Sequence, residues 1–184
     1  MKHFKNFKTC VYCTAQTLAS LDETTLARDY AYLEKYVGID KVYLETYRDG
    51  TWVAIDHMKM IQNFFKEHGV EIAGGITAVT PPLEKDDAKR QRLFQTFCYS
   101  NETMRTYLKK IVTYTAELFD EIILDDFFFT SCTCDDCLRE RSNLSWAEFR
   151  SNKMIDVAEN LVLKPAKLAN PSVKVTIKYP NWRE

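Results

Sequence analysis

Glu121-Ile122-Ile123-Leu124-Asp125-Asp126-Phe127-Phe128-Phe129 is an apolar run interrupted by two adjacent acids, and Cys132, Cys134 and Cys137 follow it directly. Near-continuous apolar runs of this length are characteristic of parallel strands covered on both faces. Such a strand delivers its terminal polar residues to one edge of the sheet. Here those residues are paired carboxylates, and the loop beyond them is dense in soft metal ligands.

Working outward from this run, strands and helices alternate. Lys8 to Gln16 reads as a first strand, Lys41 to Tyr47 as a second, Val70 to Val79 as a third, Glu121 to Phe127 as a fourth and Val173 to Lys178 as a fifth. Between them, Leu26, Tyr30, Leu33 and Val37 mark one helical face, and Met58, Ile61 and Phe65 another. Met104, Tyr107, Leu108, Ile111, Val112 and Thr115 form the buried stripe of a helix from Ser100 to about Leu118. Ser145 and Glu148 have the spacing of a capping box, opening a helix that is expected to bend near Pro165. Arg48-Asp49-Gly50 is a turn, and Thr80 to about Tyr99 is a long polar loop of the kind that is usually functional.

Strand–helix alternation calls for a parallel sheet with helical crossovers. The fold class is therefore α/β. The preferred architecture is a barrel-type sheet, strands one to five of a TIM-like β/α barrel; the alternative is a five-stranded doubly wound sheet. No glycine-rich phosphate turn follows a strand, no helix closes the fifth strand, and polar residues collect at strand carboxyl ends. All three favour the barrel, which at its usual roughly 250 residues would be only partly present here. Strands one and five would then be open edges, which are normally paired or covered. Gly74-Gly75 lacks the rest of a dinucleotide fingerprint and fits a close backbone approach instead.

The 184 residues carry 25 basic and 26 acidic side chains, with no block of like charge, so extensive phosphate neutralisation and nucleic-acid binding are not expected. No run approaches the roughly 20 apolar residues of a membrane span. The expectation is a soluble protein without a membrane partner, cytoplasmic as the sequence stands or exported where a signal has been removed.

Candidate chemistry follows from position. Asp125 and Asp126 are the candidate catalytic carboxyls, expected to point to opposite faces. Tyr43, Glu45 and Tyr47 are expected to share one strand face. Glu45 and Tyr47 are therefore candidates for substrate contact, the alternative for Glu45 being an ion pair with an arginine such as Arg48. Trp52, Tyr99 and Trp182 lie near strand ends and are candidates for stacking on a sugar ring, whereas Phe127, Phe128 and Phe129 are expected to be packing residues. Cys132, Cys134 and Cys137 can reach one tetrahedral ion, with Cys98 as a fourth ligand from the preceding strand-to-helix loop. A zinc site is preferred over disulfides, which stay open as an alternative. Cys10 and Cys13, on a strand, are expected to be separate core thiols.

The stretch Phe97 to Arg105, the helix after it, Ile123 to Phe128 and Cys132-x-Cys134-x-x-Cys137 resemble glycoside hydrolases with β/α-barrel catalytic domains. The cysteine layout is similar to the structural zinc site of the family 42 β-galactosidases. That resemblance implies Cys98, Cys132, Cys134 and Cys137 as ligands of a structural zinc. Two departures matter. Those enzymes carry an asparagine–glutamate pair where this chain has Asp125-Asp126, and their nucleophile comes from a later strand. The resemblance implies that residues 1–184 are a single α/β domain, the N-terminal part of a glycosidase-like barrel, with a carbohydrate as substrate. The alternative is a non-catalytic carbohydrate-binding or assembly module, paired as a homodimer through the open strand edges.

Overall fold

The computed structural model describes residues 4–80 and 88–179. Its strands are β1 Cys10–Cys13, β2 Lys41–Arg48, β3 Thr51–Trp52, β4 Glu71–Thr77, β5 Glu121–Asp125 and β6 Lys174–Ile177. Its helices are α1 Ala15–Ser20, α2 Glu23–Tyr36, α3 Ile55–Glu67, α4 Glu102–Leu118, α5 Asp135–Arg141, α6 Trp146–Asp156 and α7 Lys164–Ala169. The spatial order is β1-β2-β4-β5-β6, each neighbouring pair parallel, with β3 hairpinned antiparallel onto β2. The parallel strands thus lie side by side in chain order. A doubly wound sheet reverses direction at a switch point. Here there is none, and crossovers of the usual right hand between neighbouring parallel strands set successive helices on one face, as in a β/α barrel. The sheet is not closed: among the described residues, one edge of β1 and one of β6 have no neighbour.

The two faces of the sheet differ in chemistry. Val42, Leu44, Ile76, Ile122 and Leu124 are buried under the helices. The opposite, inward face carries Tyr12, Lys41, Tyr43, Glu45, Thr77 and Glu121, knit by polar contacts such as Lys41 Nζ to Glu121 Oε1 at 2.5 Å. Gly74 and Gly75 show why glycine stands mid-strand. A Cβ on Gly74 would lie 2.7 Å from both Thr115 Cγ2 and Phe119 Cδ2, and one on Gly75 would lie 2.7 Å from the Tyr12 hydroxyl. The close approach expected from sequence is thus made twice, once to α4 and once across the inward face. Gly74→Ala is expected to cost about 1–3 kcal/mol as α4 is pushed off the sheet. A urea midpoint equal to that of the parent would refute this close packing.

Local signals explain the helices. Asp22 and Thr25 form a capping box for α2, Ser145 and Glu148 form the one expected for α6, and the Asn101 side chain accepts from Met104 N at the start of α4. The bend foreseen at Pro165 takes the form of a π-helical stretch, Val157–Leu163, between α6 and α7. Proline cannot bond to the carbonyl four residues back and its ring crowds that turn, so a widened turn just before it relieves both problems.

Three local features depart from the sequence reading. The first strand is shorter than Lys8 to Gln16, because Thr14 caps α1 and accepts from Thr17 N. The Asp49-Gly50 turn, with φ of 45° and 83°, closes a hairpin whose second strand, β3, was not expected. Cys10 is exposed rather than core. Cys13 is mostly buried, and desolvation pushes its thiol up to about 11. Of these two, Cys10 is expected to react with iodoacetamide at pH 8 while Cys13 stays protected until the pH nears 11. Equal labelling at pH 8, read by peptide mass spectrometry, would contradict that burial.

Candidate functional site

Glu45 sits at the centre of the inward face and is fully enclosed. Its carboxylate accepts from Tyr12 Oη at 2.8 Å, Thr77 Oγ1 at 2.5 Å, the Ala15 backbone N–H at 2.6 Å and Arg48 Nε at 2.9 and 3.1 Å. A buried carboxylate survives only when partnered in this way. Burial, and then the adjacent Glu45 charge, raise the Tyr12 phenol well above its usual range, so it remains a donor. Glu45 thus forms the ion pair with Arg48 that the sequence offered as the alternative to substrate contact.

Arg48 reaches this position because of a backbone irregularity. Glu45 pairs with Gly75 but Tyr47 pairs with Ile76, so one extra residue is inserted at Thr46. A bulge of this kind re-aims the side chains that follow it. Arg48 consequently turns inward, where its NH2 donates to Thr77 Oγ1 at 2.8 Å and lies 3.7 Å from Asp125 Oδ2. Tyr47 turns outward, and the expectation that Tyr43, Glu45 and Tyr47 share one face is corrected at its last member. Tyr47 is fully buried, donates to the Val79 carbonyl and packs edge-on against Trp52 and Tyr107. Trp52 joins the same cluster, its Nε1 donating to Tyr107 Oη at 2.8 Å. Both candidates therefore pack β2 and β3 against α4 and are not brought to the acids.

β5 ends at Asp125, and Asp126 adopts a left-handed φ of 48°. That turn overrides strand alternation. Instead of pointing apart, both carboxylates meet one ammonium, Lys178 Nζ, at 2.8 Å from Asp125 Oδ1 and 3.1 Å from Asp126 Oδ1. Hydrogen bonds from Lys178 to the two aspartates raise its pKa above the ordinary lysine range. Asp125 therefore lies between Arg48, which the sequence offered as a partner for Glu45, and Lys178, which sequence reasoning missed. The hairpin signal at Asp49-Gly50 marked the strand end next to Arg48, but nothing local announced Lys178, which arrives through the pairing of β6 with β5.

Tyr99 is 1% exposed and packs edge-on to Phe127, its hydroxyl without a hydrogen-bond partner among the described residues. Trp182 lies outside the described residues. The structure does bring Cys98, Cys132, Cys134 and Cys137 together, their sulfurs all within 4.8 Å of one another. Cys98 comes from the loop before α4, Cys132 from the loop after β5, and Cys134 and Cys137 from the cap and first turn of α5. Cys98 Sγ lies 3.5 Å from Cys134 Sγ and 3.7 Å from Cys137 Sγ, and the last two are 3.9 Å apart. A disulfide needs about 2.05 Å. A tetrahedron of sulfurs each about 2.3 Å from a central ion has edges of about 3.8 Å. All four are free thiols, and their spacing and donor set fit a four-coordinate metal ion. Hydrogen bonds donated by Cys137 and Cys98 drive Cys132 toward thiolate, and the same contact drives Cys98 upward. Around the cage, Ser100 Oγ lies 3.4 Å from Cys137 Sγ and Met104 Sδ accepts from Cys98 N. Asp136 is held by Arg139 and Asn101.

A family model described as "Probable glycosyl hydrolase, catalytic domain" matches residues 1–184. An uncharacterized protein of Saccharolobus solfataricus is 34% identical across 98% of this chain and 33% of its own length. The chain therefore spans about a third of the curated relative it matches. A noncanonic maltogenic α-amylase from Thermotoga neapolitana superposes with a TM-score of 0.40 and 18% identity, over 73% of this chain and 42% of its own.

Proposed function

Because the chain belongs to the probable glycosyl hydrolase catalytic-domain family, we propose that it carries part of a glycoside-cleaving site centred on Asp125 and Asp126. The observation supporting this most directly is the convergence of Arg48 and Lys178 on Asp125 at the carboxyl end of β5. In β/α barrels that end of the strands is where catalytic groups gather. A carboxylate flanked by a guanidinium and an ammonium is suited to stabilising the cationic sugar of an oxocarbenium-like transition state, or to attacking it. Asp126, with Lys178 alone and a more exposed side chain, is the alternative bearer of this role, the two aspartates supplying one catalytic carboxyl. Glu45 acts one step back, orienting Arg48. Glycosidases usually employ two carboxylates flanking the scissile bond, and a partner for Asp125 is proposed to come from a further strand of the barrel.

The cysteine cage is proposed to hold zinc, with Cys98, Cys132, Cys134 and Cys137 as its ligands. Four thiolates fill a tetrahedral ion, so it would supply rigidity rather than an activated water. It ties the loop after β4 to the loop after β5 and so braces the strand end that carries the acids. The substrate is proposed to be an oligosaccharide or glycoside. No helix among the described residues is long and apolar enough to cross a membrane.

The test is hydrolysis of aryl glycosides and linear oligosaccharides by the full-length protein, compared with its Asp125→Asn and Asp126→Asn variants. Undiminished turnover in both would remove these carboxylates from the chemistry. The unpaired edges of β1 and β6 also leave room for strand pairing between two copies. Light scattering that shows a monomer across a wide concentration range would dismiss that assembly.

A further inference from the structure

Two phenylalanines, on the loops that follow β4 and β5, have a strained backbone conformation that full burial does not offset. Phe94 has a φ of 52° and Phe128 a φ of 76°, in the left-handed region that bulky side chains rarely occupy. Neither gains full burial in return, since Phe94 is 48% and Phe128 38% exposed. Their neighbours behave differently: Phe127 is 1% and Phe129 9% exposed. Phe127 and Phe129 are thus buried, whereas Phe128 stays partly in water with its ring 6.4 Å from that of Phe127.

Position adds a second observation. Phe94 belongs to the loop that follows β4, and Phe128 to the loop that follows β5, separated from Asp126 by Phe127 alone. The two loops are tied together, with Leu93 N donating to Ser131 Oγ at 2.8 Å and the Phe94 and Phe129 rings 6.0 Å apart, edge to face. Both strained residues are thus carried on adjoining loops at the carboxyl ends of β4 and β5, the end of the sheet at which Asp125 and Asp126 lie. Strained backbone persists where the surrounding structure imposes it, and it clusters at ligand clamps. A flat ring left in water beside sugar-cleaving acids matches the C–H-bearing face of a pyranose, whose burial removes apolar area from water.

We propose that Phe128, assisted by Phe94 from the adjoining loop, is a stacking subsite for one pyranose ring of an oligosaccharide bound across the acid pair. The inference rests on reading Asp125 and Asp126 as the cleaving centre, and its test separates the two. In the full-length Asp125→Asn protein, binding of maltohexaose, cellohexaose and xylohexaose is measured by calorimetry, with and without Phe128→Gly. Glycine relieves the left-handed strain while removing the ring. The expected result is a thermal midpoint that holds or rises by a few degrees, together with roughly tenfold weaker binding of the hexaose preferred by the parent. Phe128→Leu, which keeps apolar bulk without the flat face, is expected to weaken binding similarly and covers the case of a glycine variant that does not fold. A lowered midpoint with unchanged affinity would make Phe128 a packing residue and overturn the proposal, as would failure of the Asp125→Asn protein to bind any hexaose. Full hydrolytic activity in Asp125→Asn and Asp126→Asn would instead overturn the reading of the acids, while the affinity comparison would still decide the role of Phe128.

Discussion

Cys98→Ser is expected to abolish stoichiometric zinc and to lower the melting temperature by roughly 8–20 °C. That range corresponds to a loss of about 4–5 kcal/mol, the scale at which loss of a metal site stands out among point substitutions, spread over a domain of this size. Cys98 alone of the four clustered cysteines reaches the cage from the loop before α4; the other three lie after β5. Serine would leave three thiolates in a half-open site and release that loop from its neighbour. A strong chelator applied to the parent protein should reproduce the drop, and added zinc should reverse it, because binding free energy here is also folding free energy. Metal content by mass spectrometry is the direct readout. Unchanged zinc in Cys98→Ser would exclude it as a ligand and dismantle the proposed brace. Recovery of a disulfide-linked peptide pair from the untreated protein would favour the competing cross-link.

The second large effect concerns the acids. Asp125→Asn is expected to reduce glycoside hydrolysis by about 10²–10⁴-fold, the usual contribution of a positioned acid or base, and Asp126→Asn by a comparable factor. Stability should change little. Arg48 keeps its bonds to Glu45 and Thr77, and Lys178 keeps Asp126. Separating these effects is essential, since an unfolded variant is also inactive. The informative result is therefore a large loss of turnover at an unchanged melting temperature. A variant that loses both would leave Asp125 as a structural partner of Arg48 and nothing more.

How much of this was legible in advance can be judged residue by residue. The alternation of elements, the stripe on α4, the capping box at Ser145 and the four-cysteine set could all be read from spacing, because helical periodicity, cap chemistry and ligand spacing are local. The placement of Tyr47 could not. Whether it faces in or out depends on a bulge at Thr46, and that bulge exists only in the pairing of β2 with β4. The same holds for the Asp125–Asp126 pair. Strand alternation would send them apart, but the left-handed turn at Asp126 and the arrival of Lys178 from β6 bring them to one cation. The exposure of Phe128 could not be read for a similar reason, since residue type alone does not separate core from loop packing and only the surrounding loops leave this ring partly in water.

From the sequence alone came the α/β class, the singly wound order as the preferred arrangement, the acidic strand end and the identity of the four thiols that cluster. These depend on residue type and short-range spacing, which a linear chain already contains. Tertiary structure decided which face Arg48 and Tyr47 take, that Glu45 holds an arginine, and that two aspartates share one lysine. Those outcomes depend on register between strands far apart in the chain, where a single inserted residue reverses the side-chain direction of all that follows.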